Sequence, residues 1–260
     1  MTPSEPVSID LIRSVNLDHV SPSQVKSFRR CWRKWFFEKC VGIKTPSTPA
    51  QARGTALHEC VEKRIMHGVY EGDGDIVRLA FEAERYLDPL SRSFGRGKAF
   101  VEAKVDLVDG LALPMTGRLD VIDLDDHRVI DHKTCASFYW MKKPHELRCD
   151  EQAIVYVKWA NYAQRMAMPI NFEHLYYKTK GKPEVRQLRV SMSQMEVQRG
   201  WTGICRTVDQ MAEESRRTHA SDIKPNPHAC KDYGGCPFAA GCREIGDVFD
   251  KSKLRVPKKE

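Results

Sequence analysis

The stretch Gly117-Arg-Leu-Asp120-Val-Ile-Asp-Leu-Asp-Asp126-His-Arg-Val-Ile-Asp131-His-Lys133-Thr134 decides how this chain is read. Two runs rich in β-branched residues flank Asp125-Asp126, the pattern of two strands joined by a tight turn. With Asp125-Asp126 as a two-residue hairpin turn, Asp120 stands opposite Asp131, Ile122 opposite Val129 and Arg118 opposite Lys133. Directly opposed Cβ atoms lie roughly 5 Å apart, and strand alternation puts Lys133 on the same face as Asp131. Three ionisable groups are thereby aimed into one small volume. Val121, Ile122, Val129 and Ile130 mark the pair as buried, where unpaired carboxylates are costly. Two such carboxylates repel unless one is protonated or a cation lies between them. All-oxygen ligands of this kind suit Mg²⁺ or Mn²⁺, and a neighbouring lysine can orient a water or stabilise charge developing on a phosphate. Arg118 facing Lys133 is an unfavourable like-charge pair, which a bulge or a bound phosphate would relieve.

Outward from this hairpin, residues 99–108 alternate like a further strand, ending at the turn signal Asp109-Gly110. Strands are also expected near 172–179 and 184–190. Upstream, Ser21-Pro22-Ser23 offers a helix start with Ser23 as cap. The run that follows spaces Val25, Phe28, Trp32, Trp35 and Phe36 helically. Further helices are expected over about 50–66, within 76–87, over 150–166 and over 192–219. Helices first, strands in the middle and helices last indicate an α/β fold with a mixed sheet. The expected organisation is an irregular arm over 1–20, one domain over 21–245 and a basic tail over 246–260.

The 260 residues carry 42 Lys+Arg against 35 Asp+Glu, and 41% are hydrophobic, the balance of an ordinary globular chain. No run approaches the ~18 apolar residues of a membrane span. The acidic N-terminus lacks the apolar core of a secretory signal. Nine cysteines, an odd number without such a signal, indicate reduced thiols in an intracellular, cytoplasmic setting. Cys230, Cys236 and Cys242 lie close in sequence among glycines and a proline, so the backbone can wrap one centre. Three local thiolates need a fourth, for which Cys31 is the candidate, and either zinc or an iron–sulfur cluster accepts four cysteines. Cys40, Cys60, Cys135, Cys149 and Cys205 read as buried small residues.

The hairpin resembles the active site of PD-(D/E)xK nucleases of the RecB type, which place an Asp on one strand and Asp/Glu-x-Lys on the next. GRLDVID and VIDHKT match that pattern. Gly54-Thr-Ala-Leu-His58 is similar to the family's G-x-x-x-H motif and Gln152-Ala-Ile-Val-Tyr156 to its Q-x-x-x-Y motif. Ser21-Pro22-Ser23 through Phe28 and Cys31 resembles its N-terminal signature. The resemblance spans residues 21–242. It implies a restriction-endonuclease-like mixed sheet flanked by helices, with a helical N-terminal part and a C-terminal segment closed by a metal cluster. It implies catalytic Asp120, Asp131, Lys133, Gln152 and Tyr156, and Mg²⁺ or Mn²⁺ held by His58, Asp120 and Asp131. On the residues alone, His58 fits a ligand, a phosphate contact or a hydrogen-bonded core histidine. Glu102 on the preceding strand is a further acid near the site. The AddB nuclease domain and CRISPR-associated exonucleases of this family bind a [4Fe–4S] cluster through one N-terminal and three C-terminal cysteines. That implies Cys31, Cys230, Cys236 and Cys242 here, although the gap from Cys230 to Cys236 is longer than their usual C-x-x-C.

The implied activity is metal-dependent exonucleolytic hydrolysis of DNA in recombination, repair or phage- or defence-related processing. The alternatives are a non-catalytic DNA-binding iron–sulfur module and a structure-specific endonuclease of the same fold. Arg29, Arg30, Arg33 and Lys34 interleave with Trp32 and Trp35, which suits either a phosphate track with stacking platforms or a core helix with solvated charges. No G-x-x-x-x-G-K-[ST] motif is present, so ATP-driven unwinding would come from a partner such as a helicase or recombination protein.

Overall fold

The computed structural model describes residues 17–218, 220–239 and 242, without the side chains of 233 and 234, together with the backbone of 7–8 and 248–249. Most of the expected arm and tail lies outside these residues. The chain forms two compact units, one comprising residues 1–48, 108–115 and 204–260 and the other residues 49–107 and 116–203.

In the first unit, Val7–Ser8 (β1) pairs antiparallel with Val248–Phe249 (β7). Helix α1 (Pro22–Arg30) is capped by Ser21, not Ser23: the Ser21 hydroxyl accepts the Gln24 amide at 3.3 Å, and Pro22 takes the first helical position, where its missing N–H costs nothing. The expected continuous helix is interrupted at Cys31, whose extended backbone separates α1 from α2 (Trp32–Trp35) and a π-helical turn, Phe36–Cys40. Phe28 stacks on Trp32 and meets Trp35 edge-on, and Phe37 packs against Phe238.

The second unit is built on a five-stranded mixed sheet. Its strands β2 (Ala99–Leu107), β3 (Met115–Asp123), β4 (Arg128–Cys135), β5 (Ile170–Lys178) and β6 (Val185–Met192) lie side by side in chain order. β3 and β4 are antiparallel, β4 and β5 parallel, β5 and β6 antiparallel. The parallel step needs a crossover, supplied by α6 (Pro144–Arg148) and α7 (Glu151–Ala163). The region expected to hold one helix within 76–87 forms two, α4 (Gly74–Phe81) and α5 (Glu84–Gly95). These pack with α3 (Pro49–His67) on one sheet face, where Leu57, Val61, Leu87, Val121, Ile130 and Tyr177 form a core. Helix α8 (Gln194–Glu214) follows β6.

The hairpin register is the expected one, with Val121 paired to Ile130 and Ile122 to Val129. Its loop is longer, because the ladder closes at Asp123–Arg128 and leaves four residues between the strands. Asp123 explains this: its carboxylate accepts the Asp125 amide and the Arg128 guanidinium, holding the turn from inside.

Candidate active site

Past the Val121–Ile130 pair the His132 amide donates to the Asp120 carboxylate at 2.7 Å. Asp120 and Asp131 sit at this point, both buried. His58, one turn beyond Gly54 on α3, donates from Nε2 to the His132 carbonyl at 2.9 Å. That bond leaves Nδ1 as the ring's lone-pair nitrogen in the neutral form, and Nδ1 lies 3.5 Å from Asp120 Oδ1. A backbone carbonyl fixing the far nitrogen is the usual support of a metal-ligating histidine. One atom each from His58, Glu102 and Asp120 lie within 4.8 Å of one another, the one group at ligand spacing found among the described residues.

Glu102 reaches this group through backbone geometry that alternation does not reveal. On β2 it shares parity with exposed Phe100 and Lys104, yet its side chain is only 20% exposed. Its φ is 52°, a left-handed conformation that costs a non-glycine residue roughly 1–2 kcal/mol. Arg118 lies 3.5 Å from Glu102, so the expected clash with Lys133 is avoided by turning the guanidinium toward an acid.

Lys133 forms the other half of the site. Its ammonium is 2.5 Å from Asp131 Oδ2 and donates to Gln152 Oε1 at 3.0 Å. Gln152 in turn donates to the Tyr156 hydroxyl at 3.2 Å, and that hydroxyl donates to the Arg118 carbonyl at 2.6 Å. The i, i+4 spacing on α7 puts Gln152 and Tyr156 on one face, as expected. Asp150 starts that helix by accepting the Gln152 and Ala153 amides. Behind Asp131, His174 Nε2 lies 3.5 Å from Oδ2; neither His132 nor His174 carries a sequence motif that singles it out.

The electrostatics separate the two aspartates. Burial pushes Asp120 up, but His58, His132 and Lys133 outweigh it and hold the carboxyl below its ordinary range. Asp131 is displaced upward by burial and by the Asp120 charge, against the pull of Lys133. His58 is raised despite burial, because Asp120 faces it. Burial takes His132 down to about 4 and Tyr156 up to about 12. Asp131 Oδ1 is buried without a hydrogen-bond donor among the described residues. An excess of buried carboxylate with an orphaned oxygen and a pre-set histidine fits a divalent cation.

A sequence model of the PD-(D/E)XK nuclease superfamily matches residues 19–80 and 75–243. The chain belongs to this superfamily. Its fold is the restriction-endonuclease-like α/β arrangement. The whole chain resembles a solved structure from Eubacterium rectale described as a "putative exonuclease", at 15% identity and a TM-score of 0.56 over 94% of this chain and 91% of that one. Weaker likenesses are to an alkaline exonuclease from Laribacter hongkongensis (13% identity, TM-score 0.36, 77% of this chain and 91% of that one). A phage-related exonuclease from Haemophilus somnus stands at 14% identity and a TM-score of 0.29, over 75% of this chain and 96% of that one. Comparison with curated protein sequences finds no match.

The superfamily's divalent-metal chemistry directs attention to His58, Glu102, Asp120 and Asp131, with Asp131 turned to Lys133 and Glu102 completing the closely spaced trio. In the first unit, the Cys31 sulfur accepts the Asn226 amide at 3.4 Å, and the Asn226 side chain donates to the Arg30 carbonyl. The Cys230 thiol faces the Asn226 carbonyl at 3.8 Å, and the Cys236 amide donates to the Cys230 carbonyl. Arg33 approaches the Cys242 sulfur at 3.8 Å. Burial raises the Cys236 and Cys242 thiols, and the neighbouring Cys31 and Cys230 add to the rise. Of the cysteines expected to be buried, Cys40 and Cys60 are; Cys135 and Cys205 are half-buried, and Cys149 is exposed, because it ends the short helix α6 at the surface.

The basic run of α1 and α2 is engaged internally. Arg29 donates to the Thr207 hydroxyl, Arg30 pairs with Asp232 at 2.8 Å, Arg33 donates to the Ile223 and Ser221 carbonyls, and Lys34 faces Glu38. Trp35 is fully buried and Trp32 covers Phe28. Trp35 is thus a core residue, whereas Trp32 is half-buried with one ring face on Phe28.

Among the described residues, no helix is long and apolar enough to cross a membrane.

Proposed function

We propose that this protein is a Mg²⁺- or Mn²⁺-dependent deoxyribonuclease that degrades DNA from its ends, with a cysteine-ligated [4Fe–4S] cluster in its first unit. The observation that carries the nuclease reading is the chain Asp131–Lys133–Gln152–Tyr156 beside the His58–Glu102–Asp120 group. His58, Glu102, Asp120 and Asp131 would hold the cation, which when bound supplies a Lewis acid for the scissile phosphate. Lys133 stands where it can orient a water or stabilise charge on the phosphate. Gln152 and Tyr156 keep the lysine in place. A non-catalytic DNA-binding module has no need of a half-buried lysine suspended between a carboxylate and an amide. Action from ends is drawn from the exonuclease description of the Eubacterium rectale structure. The process served would be recombination, repair or defence-related processing in a reducing intracellular setting, with a helicase or annealing protein opening the duplex.

Digestion of end-labelled linear and covalently closed circular DNA, with Mg²⁺, Mn²⁺ or chelator, tests the activity. Metal-dependent release of small labelled products from linear DNA, with circles intact, is expected. Nicking of circles would indicate an endonuclease, and no cleavage under any condition would overturn the reading.

The cluster reading is supported by the Asn226 amide and the Arg33 guanidinium donating to the Cys31 and Cys242 sulfurs, the kind of donor that supports thiolate ligands, and by Cys236 bonding the Cys230 carbonyl. Anaerobically purified protein should be brown, with broad absorbance near ~400 nm. Alanine at any of the four cysteines should bleach it, whereas Cys205→Ala should not. A colourless protein with stoichiometric zinc would replace the cluster by zinc on the same ligands.

A further inference from the structure

Beyond the end of β4, six residues past Lys133, the chain raises two aromatic rings into solvent. Tyr139 is 83% and Trp140 71% exposed, and their rings meet edge-on at 5.0 Å. The other four tryptophans, at 32, 35, 159 and 201, are buried or half-buried. Leaving two large rings in water forgoes the stabilisation that large apolar side chains gain from burial.

The segment is fastened on both sides. The Ser137 hydroxyl accepts the Tyr139 amide, and the Phe138 ring lies under Arg186 and Lys178, at 4.2 Å and 5.7 Å from its centroid. The Lys142 amide donates to the Tyr176 hydroxyl at 3.2 Å, its ammonium pairs with Asp150, and Glu146 accepts the Lys143 amide at 2.6 Å. Tyr176 is the register partner of Lys133 on β5, and Asp150 caps the helix that carries Gln152. The two elements that hold Lys133 are therefore the two that anchor the exposed rings. From Ser137 to His145 the sequence, SFYWMKKPH, has no acid, and Lys143 and His145 are exposed.

We propose that Tyr139 and Trp140 form a stacking platform for the bases of a single-stranded DNA end whose phosphate backbone runs toward Lys133. Flat, exposed rings take any base by stacking, and the exposed Lys143 beside them matches the backbone's charge. Six residues of chain span at most ~20 Å, about six nucleotides at the duplex rise of ~3.4 Å per nucleotide. The platform thus grips the strand within a few nucleotides of the bond to be cut. The inference rests on the nuclease reading of Lys133 and makes single-stranded ends, or duplex ends that fray, the substrate class.

The test uses the full-length protein with Ca²⁺ in place of the catalytic cation. Tryptophan fluorescence is titrated with a short oligothymidylate and with an abasic oligonucleotide of equal length, which keeps the phosphates and lacks the bases. Quenching by the thymidylate and little by the abasic strand is expected. Binding of a labelled thymidylate, followed by anisotropy, should weaken roughly 5- to 150-fold for Trp140→Ala or Tyr139→Ala, while Trp140→Phe stays within a few-fold of wild type. Equal quenching by both strands, or by neither, overturns the platform even if linear DNA is cleaved. Base-dependent quenching without any cleavage keeps the platform and removes the nuclease reading. A wild-type dimer that Trp140→Ala converts to monomer would show the rings to be a self-association surface and overturn the proposal.

Discussion

The two ends of β4 both bury charge, and they settle it in different ways. At its start, Arg128 is bonded twice to Asp123, lies 2.9 Å from Asp126 and faces Glu173, which also receives Gln187 and Arg189. Every acid there meets a guanidinium, Arg128 for Asp123 and Asp126 and Arg189 for Glu173, and the network ties the hairpin to β5 and β6. At its far end, Glu102, Asp120 and Asp131 meet the exposed guanidinium of Arg118, the imidazole of His58 and the ammonium of Lys133. One carboxyl is driven up in pKa and one of its oxygens has no donor among the described residues. A balanced buried network serves the fold; an unbalanced one is held by the fold for something that arrives later.

Breaking the balanced end should cost the most stability. Arg128→Ala would leave Asp123 buried without its cation, and a loss of ~3–5 kcal/mol is expected from urea melts. A loss below ~1 kcal/mol would mean that the network is not the anchor described here.

At the unbalanced end the large effect is on rate. Lys133→Ala should lower kcat by about 10²–10³-fold or more, while DNA affinity stays near wild type. Parallel loss of binding and cleavage would make the lysine a DNA-holding residue.

Added Mn²⁺ should stabilise the wild type, by ~2.7 kcal/mol when present at 100 times its dissociation constant. Glu102→Gln and Asp120→Asn should each abolish most of that shift, with Arg128 variants retaining it. An unchanged Mn²⁺ shift in both acid variants would put the cation elsewhere.

The smallest effect sharpens the contrast. With chelator present, Asp131→Asn should be more stable than wild type by ~1 kcal/mol or more at pH 8, because about 1.4 kcal/mol accompanies each unit of pKa displacement. The sign follows from the upward shift of Asp131. As pH rises through the ordinary carboxylate range the unfolded chain releases this proton before the folded one does, so wild-type stability falls. The variant's advantage should be absent near pH 4 and grow above it. Thermal melts against pH check this, and an advantage that shrinks with rising pH would contradict the assignment.

Much of this was legible in residue pattern alone. The apolar flanks of Asp120 and Asp131 located both strands, and the turn placed at Asp125-Asp126 set their register, in which a one-residue slip would turn every side chain to the other face. Helical spacing from Gln152 to Tyr156 put that pair on one face of α7. Element bounds failed where a local bond competes with periodicity: Asp123 closes the hairpin early, and Cys31 breaks a run whose tryptophans are otherwise helically spaced.

The sequence by itself determined that two carboxylates and a lysine meet on a buried hairpin, since strand geometry and hydrophobic burial admit little else. Which aspartate bears the repulsion was decided by tertiary structure, because His58 arrives from α3 to hold Asp120 ionised, while Asp131 meets full burial. The place of Glu102 was decided there too. A single positive φ turns it toward His58 and Asp120, and a strained backbone torsion is held by surrounding packing, which residue pattern does not carry.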